Sequence, residues 1–173
     1  MSFRPLLHLV FSLLGVLNAT ALADQASENS LKAGFVYNFA KFTDWPADGH
    51  HQLIICTLSR NPLDGQLSLL RGRRIGERSL EVRTGISSGA WRDCHLLFVP
   101  QEDAERAQPI LRSASGHPLL TVGDFADFSQ LGGHIELREN ERHLQFEINQ
   151  GAAQRAGLKL SSQLLKLAIK VHP

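Results

Sequence analysis

The segment QLIICTL, Gln52–Leu58, is a nearly continuous apolar run with the length of one β-strand. Two similar runs follow it, HLLFV at His95–Val99 and a shorter one at Leu119–Val122. Strands that are apolar throughout are typical of parallel sheets that helices cover on both faces. The sequence therefore predicts an α/β fold, a three-layer Rossmann-like or flavodoxin-like sandwich with a mixed, mostly parallel sheet.

Helices are predicted between and after these strands. Asn61 and Pro62 are typical of a helix start, as N-cap and first helical residue. Asn149 is a second N-cap, and Gly157 is a C-terminal stop for its helix. The predicted helices cover residues 28–43, 62–70, 102–113, a short stretch from Asp124 to about Gly132, 149–156, and a last one from Ser161 or Ser162 through Val171, and a further short strand covers 80–83.

A C-terminal antiparallel hairpin is predicted from two alternating strands, His134–Leu137 and Leu144–Ile148, which the sequence RENERH separates. Glu147 alternates with the apolar residues of its strand, so it is expected on the solvent side unless Arg138 or another base pairs with it. His134 and His143 flank the hairpin and are expected to face each other across it.

The first helix carries an aromatic stripe within LKAGFVYNFAKFTDWP, Leu31–Pro46. At 100° per residue, Asn38 falls inside the apolar arc, so it is expected to be buried and hydrogen-bonded. Tyr37 and Lys41 project elsewhere. Stripes at helical spacing usually face a core, which favours a structural role over a cofactor site. The residues of the stripe are Leu31, Phe35, Phe39, Phe42 and Trp45.

Residues 1–23 have the pattern of a secretory signal peptide. Arg4 precedes an apolar run at 6–17, and Ala21-Leu22-Ala23 is a cleavage sequence of small residues. The run is shorter than the roughly 20 residues that span a bilayer. We therefore expect cleavage after Ala23, export to the periplasm, and a single domain at residues 24–173 that does not itself span the membrane.

The two cysteines, Cys56 and Cys94, form an even pair in a chain predicted to be exported. An oxidising compartment favours a disulfide, and two separate buried thiols are the alternative. Cys56 lies in the first long strand and Cys94 at the start of the third. Because those strands often lie side by side in doubly wound sheets, the two cysteines are expected to be close to each other.

Several classes of function find no support in the sequence. Removal of residues 1–23 takes away Arg4 and leaves equal numbers of basic and acidic side chains, so a dominant basic face for nucleic acid is not predicted. Motifs for hydrolases, zinc proteases, dithiol redox proteins and nucleotide binding are missing. The pair His50-His51 lacks further ligands at metal-site spacing. We therefore predict a protein that is not an enzyme, with no catalytic residues, cofactor or metal.

Three segments together resemble the YfiR-like family of bacterial periplasmic proteins. They are LKAGFVYNFAKFTDWP, GGHIELRENERHLQFEIN and AAQRAGLKLSSQLLKLA, and the resemblance runs in order from Ser30 to Val171. Family members join the cysteines that correspond to Cys56 and Cys94, which supports that pairing. The founding member carries a second, later cysteine pair near the hairpin, and this chain has none there.

The resemblance implies a repressor that binds the periplasmic domain of an inner-membrane diguanylate cyclase or sensor and thereby affects cyclic-di-GMP and biofilm formation. It also implies an outer-membrane lipoprotein that sequesters the repressor, and a homodimer is a further candidate assembly. The contact surface is expected at Tyr37 and Lys41 of the first helix and at Arg138 and Glu147 of the hairpin.

The alternative is a periplasmic protein that binds a small molecule. In open parallel sheets the ligand lies in a crevice at the carboxyl ends of the strands. In this chain the crevice is expected near Ser59, Asn61 and Asp124.

Overall fold

The structure is a computed structural model that describes residues 26–140 and 143–173. The predicted signal peptide, residues 1–23, lies outside the described residues. Ten strands are described: β1 Thr43–Asp44, β2 Gln52–Leu58, β3 Arg74–Ile75, β4 Arg78–Ile86, β5 Leu96–Val99, β6 Leu120–Gly123, β7 Ile135–Asn140, β8 His143–Asn149, β9 Lys159–Leu160 and β10 Lys170–His172.

Eight of these strands form one mixed sheet in the order β10-β8-β7-β6-β5-β2-β4-β3. From β4 to β7 all neighbours are parallel, whereas β7 pairs with β8 and β3 with β4 in antiparallel fashion. Strand β10 runs parallel to β8 at one edge, and β1 and β9 form a separate antiparallel pair. The predicted fold class, a mostly parallel sheet with an antiparallel hairpin, is confirmed.

Helices cover both faces of the sheet, which explains the continuous apolar strands. In β2, Leu53 and Ile55 belong to one buried cluster, and Ile54 and Cys56 belong to a second cluster on the other face. The helices are α1 at 26–41, α2 Asp64–Ser68, α3 Ala104–Ala114, α4 Gln150–Arg155 and α5 Ser162–Leu167. Helices α1, α2 and α5 bury residues in the first cluster, and α3 buries residues in the second.

Helix α1 packs on the sheet through Phe39, which is 1 % exposed and whose ring lies 5.0 Å from that of Phe146 in β8. Phe35 lies 6.0 Å from the same ring, at the border of the buried surface. The expected burial of Asn38 is wrong, because Asn38 is exposed and Leu31 is 49 % exposed. Ala33, Val36, Phe39 and Ala40 form the buried face instead.

The buried face of α1 is rotated by about 120° from the aromatic stripe, at 100° per residue. The reason is size: alanine and valine let the helix backbone approach the sheet closely, and the larger aromatic rings fill the space along one side. The helix ends after residue 41, where the Thr43 hydroxyl donates to the Phe39 carbonyl at 2.7 Å. The aromatic stripe therefore faces the core only in part: Phe39 is buried, whereas Leu31 is exposed.

The segment from Asp124 to Gly132 forms turns, so the short helix predicted there is wrong. Asp124 does not cap a helix, because its carboxylate accepts from the Gln101 backbone N–H at 2.8 Å. Phe128 is fully buried against Gly123 and Gly133, and a Cβ on either glycine would clash with its ring. This tertiary contact, rather than local helix propensity, shapes the segment.

The last helix is shorter than predicted. Ser161 caps α5 by accepting from the Leu164 N–H at 3.1 Å, but the helix ends at Leu167. Residues 170–172 instead form the edge strand β10, and the Ile169 N–H donates to the Phe146 carbonyl at 3.0 Å. A second cap was predicted correctly, since Asn149 accepts from the Ala152 N–H at 2.9 Å.

The hairpin of β7 and β8 is present, but His134 and His143 do not face each other. The register pairs Asn140 with His143, and the Asn149 N–H donates to the carbonyl of His134. His134 precedes β7 and is buried beside Thr121 of β6. His134 lies at the open end of the hairpin and His143 lies beside its turn, so an antiparallel register does not place the two residues opposite each other.

Cys56 and Cys94 form a disulfide, with 6.0 Å between their Cα atoms. Cys56 lies in β2, and Cys94 lies two residues before the start of β5, which pairs with β2. The predicted adjacency of the two strands is therefore confirmed.

We predict that Phe39→Ala lowers the free energy of unfolding by about 3–5 kcal/mol, because it leaves a cavity in a closely packed core. Urea unfolding measures the effect. Leu69→Ala is the control, since Leu69 is 75 % exposed and its loss should change stability by less than about 0.5 kcal/mol. Equal effects of the two variants would contradict the assigned packing.

Replacement of both cysteines, Cys56→Ala with Cys94→Ala, should lower the free energy of unfolding by about 4 kcal/mol in the chain-entropy description. The cross-link closes a loop with a sequence separation of 38 and so restricts the unfolded chain. Denaturant unfolding under non-reducing conditions gives the difference. Two free thiols in the folded wild-type protein would refute the disulfide.

Candidate functional site

Tyr37 and Lys41 of α1 lie beside the β3 edge of the sheet. The Tyr37 hydroxyl donates to the Arg74 carbonyl at 3.3 Å, and the Arg73 guanidinium lies 5.9 Å from the Tyr37 ring. Lys41 is exposed and borders a pocket of about 540 Å³ together with Glu77. Tyr37 is thus partly engaged by the protein itself, whereas Lys41 is available at the surface.

Arg138 and Glu147 are in contact, but Glu147 is not on the solvent side as expected. Glu147 is 6 % exposed, its Oε1 lies 3.4 Å from Arg138 Nε, and its Oε2 lies 2.9 Å from His172 Nε2. Arg138 also pairs with Glu136 at 2.7 Å. The exception that the sequence analysis allowed therefore applies, because Arg138 of β7 pairs with Glu147, and His172 of β10 is a second base that the sequence pattern did not indicate. Glu147 presents little surface to a partner.

The four predicted contact residues do not form one surface. Phe146 points toward α1, so its neighbour Glu147 points to the opposite face of the sheet. Arg138 shares that opposite face, because it contacts Glu147. The structure therefore brings Arg138 and Glu147 together and places Tyr37 and Lys41 elsewhere, on the helix that covers the other face.

The residues of the predicted ligand crevice, Ser59, Asn61 and Asp124, do follow the carboxyl ends of parallel strands. Asn61 accepts from the Leu63 N–H and donates to Asp64, both at 2.9 Å, which stabilises the turn into α2. Asn61 is thereby used within its own loop.

Ser59 and Asp124 are also held by neighbouring residues. The Ser59 hydroxyl donates to Asp103 at 3.1 Å and accepts from Arg106 at 2.9 Å. Burial raises the pKa of Asp124, although Lys32 at 3.4 Å and the Gln101 N–H act against this effect. The polar groups of this edge therefore bind one another, which leaves few of them for a ligand.

A contact between a histidine and a carboxylate lies near the amino ends of the parallel strands. His95 Nδ1 accepts from the Ile54 N–H at 3.1 Å, so the ring proton is on Nε2, which donates to Asp48 at 2.8 Å. Burial alone would raise the pKa of Asp48, but the His50 N–H, His95 and Arg78 outweigh it and hold the pKa at about 2. Both imidazole nitrogens of His95 are engaged in hydrogen bonds. His95 therefore stabilises the loop at residues 45–50 and has no free nitrogen to act as a base.

Within residues 26–140 and 143–173, no group of histidine, cysteine, aspartate and glutamate side chains has the arrangement of a metal site. In the same part of the chain, no helix is long and apolar enough to cross a bilayer.

The chain matches the YfiR/HmsC-like family over residues 29–169, from α1 to the edge of β10. It belongs to that family. The family is a regulatory, non-catalytic one and implies, at the family level, a periplasmic regulator of a diguanylate cyclase. The match covers the segments that carried the resemblance in the sequence, which form α1, the hairpin and the C-terminal stretch from α4 to α5.

Two solved structures are similar to this YfiR/HmsC-like protein. One is the ABC domain in complex with L-Trp from Streptococcus pneumonia, with 11 % identity, a TM-score of 0.50, and coverage of 69 % of this chain and 55 % of that chain. The other is a conserved domain protein from Vibrio cholerae, with 11 % identity, a TM-score of 0.49, and coverage of 68 % and 54 %. The chain spans about half the length of either, and at this identity the first likeness concerns the α/β fold alone.

The sequence pattern placed His134 on the surface of the hairpin, whereas His134 is buried where β6 and β7 begin. Its Nδ1 accepts from the Thr121 N–H at 3.0 Å, and its own N–H donates to Thr121 Oγ1 at 3.1 Å. Burial lowers the pKa of His134, and the nearby charge of Arg155 lowers it further, to about 4, although a hydrogen bond to the Ala152 backbone acts in the opposite direction. No signal in the sequence joins these residues, because they come from distant segments.

We predict that His134 makes the folded protein acid-sensitive. Its pKa is about 4 in the folded state against the usual 6.5, so the unfolded chain binds the proton more readily as the pH falls from 6.5 to 4. Between pH 7 and pH 5 the associated loss is about 2 kcal/mol of unfolding free energy. In His134→Gln this part of the pH dependence should be missing, as measured by urea unfolding at both pH values.

His143→Gln is the matched control, because His143 is an exposed histidine of the hairpin. It should retain the wild-type difference between pH 7 and pH 5. A wild-type slope in His134→Gln would contradict the role assigned to His134.

Proposed function

We propose that this YfiR/HmsC-like protein acts in the periplasm, where it binds and represses an inner-membrane sensor of the diguanylate cyclase type, lowering cyclic-di-GMP and biofilm formation. The family match over residues 29–169 is the observation that carries the proposal. The predicted signal peptide at residues 1–23 supports the compartment.

The proposed mechanism is a shift between two states of the sensor. A periplasmic protein does not reach a cytoplasmic active site, so its effect must pass through the periplasmic part of the partner. It changes the equilibrium only by binding the inactive state more tightly than the active one. A shift from mostly active to mostly inactive takes a difference of about 5.5 kcal/mol. An interface of standard size, roughly 1,600 Å², is sufficient for that difference.

We assign the contact surface to the outward face of α1. Asn38 and Leu31 lie on the side of the helix away from the sheet, Lys41 lies at the C-terminal end of the helix beside β3, and all three are exposed. Leu31 is a large apolar residue that is 49 % exposed, and Lys41 adds a positive charge about 15 Å further along the helix, a combination that is suited to a protein partner. Arg138 lies on the opposite face of the sheet, so it does not share this contact. Glu147, which is buried and paired, is not part of the proposed surface.

Deletion of the gene should raise cyclic-di-GMP, because the sensor loses the protein that favours its inactive state. The rise should vanish when the cyclase recovered with this protein from native membranes is also deleted. Nucleotide extraction and mass spectrometry measure both strains. Unchanged cyclic-di-GMP in the single deletion, with the protein expressed in the parent strain, would exclude the proposal and favour the small-molecule alternative.

Lys41→Glu should weaken repression, since it reverses a charge at the C-terminal end of the proposed surface without removing a buried side chain. Arg60→Glu is the matched charge reversal at an exposed residue after β2, away from α1, and should leave repression unchanged. Unfolding curves establish that both variants are folded. Equal repression by Lys41→Glu and wild type would place the interface elsewhere.

A further inference from the structure

A pocket of about 330 Å³ lies where β6 and β7 begin, at the edge of the sheet opposite to Ser59 and Asp124. Its wall includes the last turn of α3, the loop that follows it, and α4. The polar side chains on the wall are Arg112, Ser115, Thr121, His134 and Arg155. The volume is at the lower end of the roughly 300–1,000 Å³ that small-molecule sites occupy.

The pocket is lined by two arginines and by no acidic side chain. Arg112 and Arg155 are exposed, and within residues 26–140 and 143–173 neither forms an ion pair with a carboxylate. None of the residues that line the pocket is acidic. The pocket beside Lys41 and Arg78 differs in this respect, because Asp48 also lines it and pairs with Arg78 at 2.8 Å.

His134 forms the floor of the pocket and adds no negative charge. Its Nδ1 is occupied by the Thr121 N–H, so the neutral ring carries its proton on Nε2. The effect of Arg155 on the pKa of His134 indicates that the guanidinium charge reaches the floor of the pocket. The imidazole is therefore an uncharged part of the pocket wall, close to the positive charge of Arg155.

The position of each arginine at a helix end has a structural explanation, but that explanation does not account for the pocket that the two arginines share. Arg112 and Arg155 both lie in the last turn of their helices, where a basic side chain interacts favourably with the helix dipole. That effect does not require the two side chains to line the same pocket, nor the pocket to lack carboxylates. Guanidinium groups in such a setting match the geometry of phosphate and carboxylate oxygens.

We propose that this pocket binds a small anion with a phosphoryl or carboxylate group through Arg112 and Arg155, with the Ser115 hydroxyl as a neutral donor. The ligand enters on the face of the sheet that α3 covers, so it does not compete with a partner on α1. The proposal does not depend on repression of a cyclase.

Titration of the purified protein with inorganic phosphate or with succinate tests the site, followed by backbone amide shifts in nitrogen–proton NMR spectra. Sodium chloride at matched ionic strength is the reference. We expect saturable shifts at Ser115, Gly116 and His134 with at least one of the two anions, and none with chloride. The stronger of the two anions identifies the chemical group.

Arg112→Gln combined with Arg155→Gln should weaken the binding at least about tenfold, because two charge-assisted contacts are lost. Arg92→Gln is the control, since Arg92 is exposed and also lacks a carboxylate partner within the described residues. It should bind the anion as the wild type does.

Three results would overturn the proposal. One is the absence of saturable shifts at the lining residues with either anion up to about 10 mM, where even weak sites of this kind fill. A second is the same shifts with chloride. A third is equal weakening by Arg92→Gln. The wild-type titration decides the location even if the double variant proves unstable.

Discussion

The contact between Phe39 and Phe146 holds the helical layer, the hairpin and the sheet edge together. The two rings lie 5.0 Å apart, and Phe146 is also the residue whose carbonyl accepts from the Ile169 N–H beside β10. The next residue, Glu147, points to the opposite face and pairs with Arg138 and His172. Two consecutive residues of β8 thus join elements on both sides of the sheet, because strand side chains alternate.

This arrangement gives α1 a fixed position with one face free. The small residues Ala33 and Ala40 bring the helix close to the sheet, and Phe39 prevents it from sliding. Leu31 and Lys41 are then presented outward on a rigid element. A surface that is already ordered loses little conformational entropy on binding, which favours affinity for a partner.

The sequence was sufficient where local chemistry decides the structure. The apolar strands and the cap at Asn149 were predicted from nearby residues, and the Cys56–Cys94 pair from the predicted export, the expected adjacency of two strands and the family resemblance. It was insufficient where distant residues decide. The rotation of α1 depends on packing against β8, the turn around Phe128 depends on two glycines that accommodate its ring, and the burial of Glu147 depends on bases from two other strands. The pocket at Arg112 and Arg155 belongs to the same group, since three distant segments form it.

The polar groups at the carboxyl ends of the parallel strands differ from those at the amino ends in how far they are hydrogen-bonded within the protein. At the carboxyl ends, where ligands of doubly wound folds usually bind, Ser59, Asn61 and Asp124 are hydrogen-bonded within the protein. At the amino ends, two guanidinium groups share a pocket without an acid among its lining residues. A ligand gains most binding free energy where it pairs with protein groups that have no partner of their own. The two arginines at the amino ends of the strands therefore suit an anion better than the polar groups at the carboxyl ends. Because α1 covers the other face, such an anion and a partner on α1 would occupy separate surfaces of the protein.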